Sequence, residues 1–211
     1  MVIMQNRNYQ KELEKLIENH QREGSRPSLL LHSCCAPCSS YVLEYLAPHF
    51  QICDFYYNPN ISPKKEYEER REELVRLISA MGLSTQVNFL EGSYQPEDFF
   101  ALAKGLEELP EGGERCFRCY ELRLRESARI AKEQGTDYFA TTLTISPLKN
   151  AQKLNELGES LAKEYGVKYL ASDFKKKNGY KRSVELSARY ELYRQNYCGC
   201  VFSKLKAEQS L

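Results

Sequence analysis

The chain has no tryptophan, only three methionines and three histidines among its 211 residues, and almost no net charge. Its 30 Lys and Arg residues against 29 Asp and Glu leave +1, so no global field draws it to nucleic acid. Any such attraction has to come from local patches. No apolar run approaches the length of a membrane span, which argues against a membrane partner. The opening MVIMQNRNYQKELEKLIENHQREG is polar and lacks a signal-peptide core, which points to a cytoplasmic protein. There is no internal repeat and no low-complexity linker. One domain over residues 1–211 is therefore expected, with an N-terminal helix at about 6–23 and a tail from about 203.

Strands alternate with helices along the chain. The apolar run Ser28–His32 stops at a short loop and is followed by the helical pattern Val42, Leu43, Leu46. Further strands are expected at 51–57, 85–90, 138–144 and 167–174, with helices between them and a last helix at about 184–196. This alternation predicts an α/β, Rossmann-like, doubly wound parallel sheet of about five strands. In such a sheet the strand C-termini share one edge, where ligands bind. The loop after the first strand has no glycine-rich phosphate cradle, so ATP is not expected as a partner.

That loop carries thiols instead. Seven of the eight cysteines fall in three tight groups: Cys34, Cys35 and Cys38; Cys116 and Cys119; Cys198 and Cys200. A reducing cytoplasm disfavours a structural disulfide framework, so grouped cysteines favour metal or redox chemistry. Cys53, alone inside a strand, reads as a small buried hydrophobe. Cys34 and Cys35 can face one metal only where the chain turns out of the strand, and a helix N-terminus favours thiolates there. Cys116-x-x-Cys119 is half a zinc site, half an iron–sulfur site or a redox pair. Joined to Cys34 and Cys35 it gives four thiolates, enough for a 4Fe–4S cluster or for structural zinc. The surplus of cysteines favours the redox reading. Cys198-Gly-Cys200 reads as a dithiol able to form a strained, labile disulfide, with two further metal ligands as the competing reading.

Polar groups expected around the same edge are Asn58 and Asn60, Thr142, Thr144 and Ser146. A basic segment, Lys175, Lys176, Lys177, Tyr180, Lys181 and Arg182, could hold a phosphate backbone while Tyr180 stacks on a base. A solvated loop is the alternative. The charged helix at 64–81 reads as a solvated face. His32 is either a core hydrogen-bonder or a group at the thiol site.

The stretches LLLHSCCAPCSS, FYYNPNI, ERCFRCYELRL, TTLTISPLKN and KKKNGYKRSVELSARYELYRQNYCGCVFS occur in order from about 28 to 203. Together they resemble the QueH family of cobalamin-independent epoxyqueuosine reductases. The resemblance implies a fold related to the adenine-nucleotide α-hydrolases. It also implies reductive deoxygenation of epoxyqueuosine at the tRNA wobble position to queuosine. By matching motif, Cys34, Cys35, Cys116 and Cys119 would hold a 4Fe–4S cluster. Cys198 and Cys200 would form a redox-active disulfide, and Cys38 would help bind an additional iron ion. The implied partners are a tRNA bearing epoxyqueuosine and an unidentified electron donor. Asn58, Asn60, Ser146 and Tyr180 are expected as contacts to the modified base, and Lys175–Lys177, Lys181 and Arg182 as phosphate contacts.

Overall fold

The computed structural model describes residues 7–209. Residue 6, the expected first residue of the N-terminal helix, lies outside that range. Five strands, β1 (Ser28–His32), β2 (Gln51–Tyr56), β3 (Val87–Glu91), β4 (Tyr138–Thr141) and β5 (Lys168–Tyr169), form one parallel sheet ordered β3-β2-β1-β4-β5. The helices are α1 (Tyr9–Arg22), α2 (Ala36–Leu46), α3 (Lys64–Ala80), α4 (Pro96–Ala103), α5 (Glu114–Gln134), α6 (Ala151–Tyr165), α7 (Gly179–Arg189) and α8 (Val201–Glu208).

β1 is central because its leucines need cover on both faces. Leu29, Leu30 and Leu31 are fully buried, and full burial of a leucine stabilises by roughly 1.5–3 kcal/mol. Leu29 and Leu31 join a core with α1, α2 and α3 through Leu13, Leu43 and Leu77. Leu30 faces the opposite core, where Leu124 and Ala128 of α5 meet Leu154 of α6. The sheet is thus covered on both sides, and the doubly wound parallel architecture is observed. Winding proceeds outward from β1 to β3, then returns to place β4 on the other flank of β1. The crevice between the C-terminal ends of β1 and β4 is the topological switch point.

Several boundaries differ from those expected, each for a local reason. β4 stops at Thr141, whose side chain accepts from the Leu143 N–H and starts a single 3-10 turn over Thr142–Ile145. β5 is only two residues long because the Asn155 amide takes both the N–H and the carbonyl of Ser172. α7 begins at Gly179 and ends at Arg189, so half of the expected basic loop is helical and the stretch at 190–196 is not. Only glycine fits that start, since a Cβ on Gly179 would lie 1.9 Å from the Phe174 carbonyl oxygen. The residues from 203 onward do not trail as a tail but continue α8, capped by Cys200.

Candidate metal and redox site

Ser33 leaves β1 into a turn that ends at Cys35, the N-cap of α2. Pro37 in the first turn sacrifices no hydrogen bond there, because the first helical N–H groups have no intrahelical partner. This turn brings Cys34, Cys35 and Cys38 together, with all three sulfurs within 4.8 Å of one another. Cys34 Sγ lies 3.8 Å from Cys35 Sγ, and the Thr142 hydroxyl approaches Cys34 Sγ at 3.8 Å from the β4 side. The Asn58 amide clamps the turn by donating to the Ser33 carbonyl at 2.8 Å. Three buried or half-buried sulfurs this close could hold a metal ion.

The three thiols share charge unequally. Cys34 is held well below the ordinary thiol range because Cys35 and Cys38 direct hydrogen bonds to it, with the Arg123 charge adding to the effect. Cys35, whose proton is engaged by Cys34, is pushed up to about 12, and Cys38 is raised for the same reason. His32 is the core hydrogen-bonder of the two readings. Its Nδ1 meets Thr141 Oγ1 at 2.9 Å and its Nε2 meets the Tyr57 carbonyl at 3.0 Å. Burial lowers its pKa to about 4, so it is neutral. Cys53 lies on β2 and is half-buried, and burial raises its pKa to about 11.

Cys116 and Cys119 sit on the first turns of α5, which the Leu109–Gly113 loop delivers to the same edge. They line an inner cavity with Cys198, Cys200, Asn60, Arg123 and Lys149. Burial raises both α5 thiols, Cys119 to about 12. Cys200 caps α8 and takes the Ser203 N–H at 3.4 Å. Gly199 between the pair has φ 120°, a value that only glycine adopts readily, and its carbonyl accepts from the Ser62 N–H at 2.9 Å. All eight cysteines are free thiols in the structure.

An outer crevice of about 280 Å³ opens beside this cavity. Cys35 and Cys38 form one wall, Ser146 to Lys149 a second, and Tyr180 with Arg194 to Cys198 a third, with Arg70 and Glu111 also lining it. Cys198 and Lys149 line both spaces, and the Lys149 ammonium donates to Cys198 Sγ at 3.1 Å. Burial works against the Lys149 charge, but Cys198 and Tyr120 beside it leave its pKa raised overall.

Of the polar groups expected here, Ser146 and Tyr180 line the crevice. Asn60 lies in the inner cavity with its Oδ1 unpartnered, and Asn58 supports the cysteine turn from behind. The basic segment is largely committed elsewhere. Lys175 holds Asp173 and the Thr144 carbonyl, Lys177 holds Glu14, and Arg182 holds Glu44 and Glu185. Lys176 and Lys181 form no ion pair among the described residues.

Three cations of the site escaped the sequence reading. Arg70 sits in the helix read as a solvated face, yet it is 2% exposed, bonds Glu66 at 2.7 Å and reaches the Cys198 carbonyl at 3.1 Å. Arg123 is 1% exposed on α5. Lys149 follows Ser146-Pro-Leu in a strand-end loop. The available signal was position: each lies on an element that begins at the ligand-binding edge.

A family model described as epoxyqueuosine reductase QueH matches residues 29–206. Curated proteins of that name are similar over most of the chain. The one from Staphylococcus epidermidis is 48% identical over 203 residues, covering 94% of this chain and 85% of its own. That from Streptococcus pyogenes serotype M1 is 47% identical over 198 residues, with 93% and 78% covered. The Thermotoga maritima protein is 37% identical over 188 residues, with 86% and 93% covered. Among solved structures, an NMN synthetase from Francisella tularensis aligns over 96% of this chain and 92% of its own. Its TM-score of 0.42 and 11% identity are too low to carry an argument.

Proposed function

The chain belongs to the epoxyqueuosine reductase QueH family, and on that premise we propose that it reduces epoxyqueuosine in tRNA to queuosine with a 4Fe–4S cluster and a redox-active cysteine pair. The observation that carries this reading is the three-thiol group at the switch point, opening onto a crevice near the lower end of the usual ligand-pocket range of roughly 300–1,000 Å³. The donor set is all sulfur, buried or half-buried and placed at helix N-termini, which suits iron–sulfur ligation. Cys34, Cys35, Cys116 and Cys119 would hold the cluster, and Cys38, at the crevice wall, would reach an additional iron ion. Such groups supply single electrons and a Lewis-acidic site when bound.

The rest follows from the chain's own residues. Converting an epoxide to an alkene consumes two electrons and two protons and releases water. Oxidising the Cys198–Cys200 dithiol to a disulfide releases the same two electrons and two protons, so the pair balances the reaction. An electron donor then restores the dithiol. Cys198 faces both spaces, which suits a relay between them. Lys149 holds a proton on Nζ at that joint. The modified base leaves the anticodon stack and enters the crevice, where Tyr180 offers a stacking face and Ser146 a hydrogen bond. Lys176 and Lys181 are the cations of the basic segment left for tRNA phosphates.

Mass analysis of nucleosides tests the reading. Reconstituted protein, epoxyqueuosine-bearing tRNA and a low-potential reductant should give queuosine. An intact iron–sulfur centre without conversion overturns it.

A further inference from the structure

Buried guanidinium groups with unused donors surround the thiols. Arg70 Nη2, Arg115 Nε and Arg123 Nη2 are all buried without a hydrogen-bond partner. Arg70 has Glu66 as a counter-ion, and Arg115 spends its Nη1 on the carbonyls of Leu106, Glu107 and Leu109. Arg123 is the extreme case. Its one hydrogen bond runs from Nε to the Cys119 carbonyl at 3.2 Å, and no carboxylate pairs with it among the described residues.

Burying an unpaired cation is unfavourable, and an unmet buried donor adds to that cost. Such a group persists where something absent from the bare chain completes it. Arg123 lines the inner cavity together with Cys116, Cys119, Cys198 and Cys200, so thiols are the groups it meets there. Among them Cys119 and Cys198 favour its charge most, and Cys34, outside that lining, acts in the same sense.

We infer that Arg123 is a built-in counter-charge for the anionic metal–thiolate group, donating through Nη2 to its sulfur and setting the potential at which it accepts an electron. This rests on the iron–sulfur reading above and extends it to a positioning residue that is not itself a ligand. A fixed cation beside a net-negative centre favours its reduced form, because reduction adds a further negative charge. Hydrogen bonds to the cluster sulfurs act in the same direction. Arginine suits the task because it keeps its charge when buried and offers a planar fork of donors.

The test uses the full chain and the variants Arg123→Met and Arg123→Lys, each with and without reconstituted iron and sulfide. Iron per chain, the reduction midpoint followed by visible absorbance, and the melting temperature of the metal-free protein are read for all three. In the metal-free protein, compared in a Cys34→Ala background so that no thiolate faces the arginine there, Arg123→Met should melt higher than its parent, since an apolar side chain replaces an unpaired charge. In the loaded protein Arg123→Met should have a lower midpoint at unchanged iron content, and Arg123→Lys should fall between. If Arg123→Met alone fails to load, the charge requirement stands. An unchanged midpoint with full loading overturns the counter-charge role alone. So does loss of loading in both variants with the fold intact, or a metal-free Arg123→Met that melts lower than its Cys34→Ala parent. Failure of the wild type to load overturns the iron–sulfur reading and Arg123's role with it.

Discussion

The cysteine groups and the basic segment are the two conspicuous clusters of the sequence, and folding treats them in opposite ways. Three thiols at 34, 35 and 38 converge to within 4.8 Å, and four more from two distant stretches share an adjoining cavity. Of five cations between 175 and 182, three are tied to acidic side chains. A thiol gains meaning by meeting other thiols, which takes a turn and a crossover. A surface cation loses meaning by meeting a carboxylate, which any neighbouring helix can supply. Clustering in sequence is thus a better guide to ligand chemistry for cysteine than for lysine.

The comparison breaks most readily at the thiols. Cys35→Ala should abolish iron binding and with it turnover. Retention of wild-type iron per chain would remove the β1-turn group from the centre. Cys198→Ala separates the two thiol functions: iron content should match wild type while queuosine formation stops. If Cys198→Ala also loses iron, the pair at 198 and 200 belongs to the metal site and not to a dithiol relay.

At the joint between cavity and crevice, Lys149→Met should lower kcat by about 100-fold, the usual scale of a lost charge-stabilising donor, with little change in KM. A KM effect alone would make Lys149 a binding residue. The basic segment should matter less. The double variant of Lys176→Ala and Lys181→Ala should raise KM for tRNA roughly 3- to 10-fold and flatten its salt dependence by about two counter-ions. Lys177→Ala and Arg182→Ala should be near neutral for KM, since their charges are already spent. Equal effects from all four would show that the intramolecular pairs yield to phosphate.

The smallest effect lies under the thiol turn. Asp54 on β2 is fully buried, neither of its oxygens is bonded, and burial raises its pKa from 3.8 to about 7. The folded protein therefore keeps a proton that the unfolded chain sheds. The stability this gives is complete below the unfolded pKa and is lost as the pH rises through about 7. Melting of the metal-free protein should fall between pH 6.5 and 8, above the range in which His32 titrates, and Asp54→Asn should flatten that fall. An unchanged slope in the variant would assign it to another group.

Much of the architecture was legible because hydrophobic period and loop chemistry are local. The alternation of elements and the cysteine turn at the end of β1 both follow from neighbours within a few residues. Boundaries were misread where a side chain took over a backbone hydrogen bond or the space beside it. Asn155 ends β5, Thr141 turns β4 into a 3-10 turn, and Phe174 with Tyr41 leaves room only for Gly179 at the start of α7. Arg70 was hidden inside a charged run because burial of one position in a helix depends on what packs against that face.

By itself the sequence determined the fold class, the family and the grouping of the cysteines, since each is written in residue type and spacing. Only the tertiary structure decided which groups meet. It placed Cys198 and Lys149 at the joint of cavity and crevice, reduced the free charge of the basic segment to Lys176 and Lys181, and left Arg123 Nη2 buried without a hydrogen-bond partner. Charge and hydrogen bonding act over a few ångströms, and β1, α5 and the C-terminal segment come that close only once the sheet has been wound.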